Sequence, residues 1–233
     1  MADNELTAPR LSEHPTASHP ADGSAAHAPT EFFYPNRFGR IVLTSLEDVL
    51  GLHGVNAVLN LADMADLVGN YPAHNLKPGF SFTAFGRIQA TVDLMFGMRG
   101  GGGLNMRAGR QSFKYVLSDF MPVLGIADLA SRALPLGMKL KIGLNIFAES
   151  FNKLSDQQVR LGEDRQHYYW NILRCPICWE RSTSYPCCSF AVGLLEQALY
   201  WVSNGRSFHV HEARCHAAGD DFCEIVIRKR PEA

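Results

Sequence analysis

The chain has no excess of charge of either sign. Its 22 Lys and Arg stand against 23 Asp and Glu, a formal net charge of −1 over 233 residues, and its pI is about 6.7. So balanced a surface offers no electrostatic footprint for nucleic acid or an anionic membrane. A run of 18 apolar residues is also missing, so no membrane span is expected. The N-terminus lacks the pattern of a secretion signal. Six cysteines are too few for a disulfide scaffold at this length. Together these absences predict a cytoplasmic protein with reduced thiols, where cysteine serves metal or redox chemistry more often than cross-linking. There is no Walker Lys-Ser/Thr and no G-x-G-x-x-G phasing, so the Gly100–Gly103 run reads as a flexible helix–helix connection. With no nicotinamide or flavin fingerprint and no acid–base pair, no catalytic residue is expected and the protein reads as a non-enzyme.

Large aliphatics are scarce at the start. Residues 1–31 contain only Leu6 and Leu11, too little apolar surface to order a chain, and predict a disordered tail. The globular domain is expected over 32–229. Here the sequence is rich in what a core needs: 46% hydrophobic residues overall and 14 Phe. Ser45-Leu-Glu-Asp looks like a helix N-cap, Gly51 and Gly54 break that helix, and Val55–Val68 resumes it. Phe85, Ile88, Val92, Met95 and Phe96 recur at helical spacing, as do Met106, Phe113, Val116, Leu117 and Phe120. Val123–Leu134 reads as a further helix. Met138–Phe151 fits helix or strand by pattern, and its length favours helix. Beyond it the period shortens to two: Val159 and Leu161, then Tyr168, Trp170 and Ile172, predict strands. Ala191, Leu194, Leu195, Ala198, Leu199 and Val202 form one helical face. The expected class is α+β, with a helical N-terminal half on one face of a four-stranded antiparallel sheet and β-β-α-β-β order in the C-terminal half.

The last strands carry the chemistry. Phe208–Arg228 alternates on both sides of the turn signal Gly219-Asp220 and predicts a hairpin. Cys215 ends its first strand and Cys223 opens its second, so pairing brings the sulfurs to one end, with Glu212 nearby. Those three side chains are either three of the four ligands of a tetrahedral metal site or two buried cysteines and a surface glutamate.

Cys188 with Gly193 five positions on, then Glu212-x-x-Cys215 and Gly219-Asp220-x-x-Cys223, resemble the 4-vinyl-reductase-like domain, related to the sensor domains of phenol-responsive regulators and to accessory proteins of bacteriochlorophyll synthesis. Phe80–Arg110 is similar to the same family. The resemblance implies a module that binds or senses a hydrophobic small molecule, with a structural zinc on Cys188, Glu212, Cys215 and Cys223; Cys187 rivals Cys188. It also implies a homodimer. Two alternatives go with it: a tetrapyrrole-binding accessory role, with His53, His74 or His167 as axial ligand, and a vinyl-group reductase. His209, His211 and His216 lie close to the proposed zinc ligands in sequence. Cys175 and Cys178 fall outside that quartet and read as a second metal site, a redox pair or inert loop cysteines. Phe80, Phe82, Phe85, Phe96, Phe113, Tyr168, Trp170 and Trp201, with Met95, supply either the lining of an apolar pocket or an ordinary core.

Overall fold

The computed structural model describes residues 31–124 and 133–232, with no side-chain description for 121–124. The expected N-terminal tail and most of the helix expected over Val123–Leu134 lie outside the described residues. Two short strands open the fold. Strand β1 (Phe33–Pro35) pairs antiparallel with β2 (Pro78–Ser81), Tyr34 opposite Phe80.

Helix α1 (Asn36–Leu61) follows β1 directly. The expected N-cap at Ser45 is not its start. Ser45 is fully buried inside the helix and its hydroxyl donates to the Ile41 carbonyl at 2.6 Å, so it needs no solvent and caps nothing. The break at Gly51 is present, with φ 73° and ψ 164°, a conformation open to glycine. Among the described residues α1 is the one helix long and apolar enough to cross a membrane. The break interrupts it, and Ile41, Val42, Leu43 and Leu46 sit in the core.

Helix α2 (Phe82–Leu124) is longer than the sequence predicts. The kink falls at Gly97, with φ 71° and ψ 159°, and the Gly100–Gly103 run is helical. The run's role is close approach: a Cβ on Gly101 would stand 2.5 Å from the Cα of Asp93. Glycine there lets the second half of α2 fold back beside the first. Helix α3 (Leu136–Leu154) settles the ambiguous segment; Leu140, Leu144, Phe147 and Ala148 face inward at helical spacing.

The main sheet has strand order β3-β4-β6-β5, all antiparallel. It comprises β3 (Gln158–Glu163), β4 (His167–Arg174), β5 (Phe208–Arg214) and β6 (Cys223–Pro231), with helix α4 (Ser189–Val202) between the two hairpins. The class is α+β as expected. On the buried face β4 sets Tyr168 opposite Ile227, Trp170 opposite Ile225 and Ile172 opposite Cys223. The core fills the space between that face and the helices. Each fully buried side chain of this size contributes about 1.5–3 kcal/mol.

Helices α2 and α4 cross at two glycines. A Cβ on Gly193 would run into the Met106 carbonyl, and one on Gly109 into the Phe190 carbonyl. This crossing fixes the N-terminus of α4, and with it Cys187 and Cys188.

Candidate metal centre

Six cysteines from three separate stretches meet at one end of the main sheet, all buried and all free. Cys175 and Cys178 lie just past the end of β4, Cys187 and Cys188 just before α4, and Cys215 and Cys223 at the two roots of the closing hairpin. Sγ–Sγ separations are 3.5 Å for Cys175–Cys188, 3.4 Å for Cys178–Cys223, 3.8 Å for Cys188–Cys223, 3.9 Å for Cys188–Cys215 and 3.8 Å for Cys187–Cys215. A tetrahedral ion with metal–sulfur bonds of about 2.3 Å holds its sulfurs about 3.8 Å apart. An iron–sulfur cubane, with inorganic sulfide between the irons, would spread its cysteines much farther. The spacing therefore suits metal ions bound directly by thiolates, without inorganic sulfide.

Two overlapping quartets have the geometry of a metal site. Cys188, Glu212, Cys215 and Cys223 form one; Cys175, Cys178, Cys188 and Cys223 form the other. The sequence set Cys175 and Cys178 apart, as a second metal site, a redox pair or inert loop cysteines. They belong to the same cluster, because the register that places Ile172 opposite Cys223 delivers the end of β4 to the hairpin root. Cys187 enters neither quartet. His209, His211 and His216 point to solvent and enter neither.

The backbone supports negative charge here. The Cys188 N–H, at the start of α4, donates to Glu212 Oε2 at 2.6 Å, leaving Glu212 Oε1 buried with no partner. The His216 N–H donates to Cys223 Sγ at 3.3 Å, and the Cys215 N–H to Asp220 Oδ2 at 2.8 Å. Gly219, at φ 101°, closes the turn between the two roots. Burial, reinforced by the negative Cys215, pushes the Glu212 carboxyl up to about 9. Hydrogen bonds from Cys178 and then from Cys187, Cys188 and Cys223 hold Cys215 far below the ordinary thiol range. Hydrogen bonding to Cys175 first, then to Cys178, raises Cys188 and Cys223.

Sequence reasoning missed the residues behind the cluster. Arg181 pairs with Asp93 of α2 at 2.7 Å, both almost fully buried. The pair ties the loop carrying Cys178 to the helical layer. Trp179 on the same loop packs edge-on against Phe32, ring centroids 5.3 Å apart, and against Phe82 at 5.9 Å. Tyr34 is buried beside Cys175 and Cys188, and burial first, then those sulfurs, raise its hydroxyl far above the usual phenol range. Arg, Asp and Tyr carry no local sign of such a role; only the fold brings them here.

The aromatic residues expected to line a pocket are largely packed together. Phe80, Phe82, Phe85, Phe113, Tyr168 and Trp170 are buried, Trp201 is partly buried, and Phe96 is 44% exposed. The apolar voids around Phe147 measure about 30, 20 and 30 Å³, room for a water molecule or two and no more. Every described histidine is exposed or partly exposed, His53, His74 and His167 included.

No protein-family profile matches the sequence, and no curated protein matches it significantly. Solved structures do match the fold. An H-NOX protein from S. oneidensis in the Fe(II)NO ligation state is 16% identical with a TM-score of 0.51; the match covers 83% of this chain and 99% of that one. The Fe(II) unliganded H-NOX protein from K. algicida is 12% identical with a TM-score of 0.54, covering 85% and 97%. A structure probing heme distortion in the H-NOX family is 15% identical with a TM-score of 0.51, covering 86% and 97%.

This corrects the family reading. The motif of Cys188, Glu212, Cys215 and Cys223 resembled the 4-vinyl-reductase-like domain, but the structural neighbours are H-NOX proteins. What that resemblance implied goes with it: a zinc-holding module for a hydrophobic ligand, a tetrapyrrole-binding accessory of bacteriochlorophyll synthesis, and a vinyl reductase. The neighbours' metal is iron, and their cofactor heme. Heme does not fit the residues present. An apolar pocket for so large a ligand needs several hundred Å³, at least about 300, against apolar voids of about 20–30 Å³ around Phe147; the roomier clefts, of about 270 and 510 Å³ on either side of Arg206, are open and mainly polar, and no buried histidine stands ready as an axial ligand among the described residues. At 12–16% identity these likenesses speak to architecture, and on that ground the chain adopts the fold of H-NOX domains.

Proposed function

We propose that this protein is a sensory module whose responsive element is a thiolate-bound metal centre built from Cys188, Glu212, Cys215 and Cys223 and extended by Cys175 and Cys178. One observation carries the reading: buried sulfurs 3.4–3.9 Å apart adjoin a carboxylate whose Oε1 is buried and unpartnered. Buried polar and charged groups in a folded protein are normally satisfied, and a thiophilic cation would satisfy all of these at once. The likeness to a protein crystallised with NO on its iron supports a small diffusible molecule as the partner. Thiols kept reduced suit a cytoplasmic setting.

The test is metal analysis of protein purified anaerobically under reducing conditions. We expect a thiophilic metal bound at a defined ratio to the chain and lost in Cys223→Ser. That metal's thiolate absorption should change when an NO donor is added. Protein that folds fully without metal, or that instead takes up hemin stoichiometrically with a sharp Soret band, would overturn the reading.

A further inference from the structure

The two quartets are not alternatives. They share Cys188 and Cys223, whose sulfurs are 3.8 Å apart, the edge length of a tetrahedron with metal–sulfur bonds of about 2.3 Å. Two tetrahedra that share an edge describe two ions with two bridging sulfurs. On one side of that edge stand Cys175, 3.5 Å from Cys188, and Cys178, 3.4 Å from Cys223. On the other stand Cys215, 3.9 Å from Cys188, and the Glu212 carboxylate. We propose that the centre is binuclear: two divalent thiophilic ions, bridged by the sulfurs of Cys188 and Cys223, with Cys175 and Cys178 completing one tetrahedron and Glu212 and Cys215 the other.

Ligand satisfaction separates this from one ion choosing a quartet. A single ion among Cys175, Cys178, Cys188 and Cys223 leaves Cys215 and the unpartnered, buried Glu212 Oε1 without a ligand bond; one in the other quartet leaves Cys175 and Cys178 so. Buried polar groups left without partners are costly. Five thiolates and one carboxylate carry six negative charges when ligated, and two divalent ions return four. Arg181, buried at the edge of the cluster, already has its charge matched by Asp93 of α2 at 2.7 Å, so the occupied centre keeps a net charge of −2. The proposal rests on the metal reading above and adds its nuclearity and its bridging ligands.

Cobalt(II) titration of the reduced, metal-free full chain separates the outcomes, because cobalt reports both thiolate ligation and magnetic coupling. We expect thiolate-to-cobalt absorption to rise through two equivalents. The paramagnetic resonance signal should grow over the first equivalent and fall by more than half over the second, as sulfur bridges couple the spins. Cys175→Ser should bind one equivalent with an undiminished resonance signal. Saturation at one equivalent would overturn the binuclear centre while leaving the metal reading intact. Two equivalents with additive signals would overturn the bridges. Absence of any thiolate-to-cobalt absorption would overturn the underlying reading itself.

Discussion

Glu212 Oε2 accepts a hydrogen bond from the backbone N–H of Cys188 at 2.6 Å, across 24 residues of chain. A strand side chain thereby caps the helix that bears a cysteine of the cluster, and negative charge at that end also suits the helix dipole. Glu212→Gln keeps the shape and gives up the charge. Metal affinity should drop on the order of 10–100-fold, by analogy with removing a group that supports a metal site, measured by competition with a chromophoric chelator. Unchanged affinity would remove Glu212 from the centre.

Cys187 and Cys188 are adjacent, yet only Cys188 belongs to the metal quartets. Cys187→Ser should therefore retain the metal content of the wild type, whereas Cys188→Ser should lose it. Equal loss in both variants would mean that the cluster is not organised as the distances indicate. Elemental analysis on matched preparations reads the difference.

Gly193→Ala pushes a methyl group into the Met106 carbonyl of the facing helix. Overpacking of this kind costs about 1–3 kcal/mol, and the backbone on both sides leaves little room to give. A chemical-denaturation midpoint equal to that of the wild type would show the crossing to be looser than described.

Asp93→Ala strands the Arg181 guanidinium, which also makes a 3.4 Å contact with the Ile177 carbonyl. Removing one partner of a buried pair costs about 3–5 kcal/mol. The paired change Asp93→Leu with Arg181→Met should recover much of that loss, as a double-mutant cycle in urea would reveal.

Acid should expose a different contribution. Asp164 Oδ1 accepts from the Gln166 and His167 N–H groups at 2.7 and 2.6 Å, and Oδ2 accepts from the Tyr169 hydroxyl at 2.8 Å. These bonds, the Gln166 backbone bond foremost, hold its carboxyl well below the usual carboxylate range. Because the folded value lies below the unfolded one of about 3.9, this stabilisation is complete above that pH and fades as pH falls through the folded value. The stability gap between wild type and Asp164→Ala should be widest near neutral pH and shrink as the pH is lowered below about 4.

The strands, α4 and the closing hairpin were legible in the sequence because alternation and helical spacing record which side chains face the core. Met138–Phe151 satisfied both periods, and length alone pointed to helix. The kink of α2 was displaced from Gly100–Gly103 to Gly97 because glycine signals backbone freedom or close packing alike. The pair β1 and β2 went unseen; three- and four-residue strands bounded by proline carry almost no pattern. In the cluster, Glu212, Cys215 and Cys223 were readable from a single hairpin. Cys175 and Cys178 were not, since their place follows from the pairing of β4 with β6. Family likeness failed for a related reason: four residue types at three spacings describe a hairpin and a helix start, whereas the similarity to H-NOX proteins lies in how all the layers are arranged.

Trp179 is bonded to Cys178 and rests against Phe32, at the edge of the described domain. One indole therefore lies a single peptide bond from a proposed metal ligand, while Trp170 sits deep in the sheet and Trp201 on α4. If the proposed ion occupies the centre, its release frees Cys178 beside that ring, and Trp179 emission becomes an optical gauge of occupancy that needs no label.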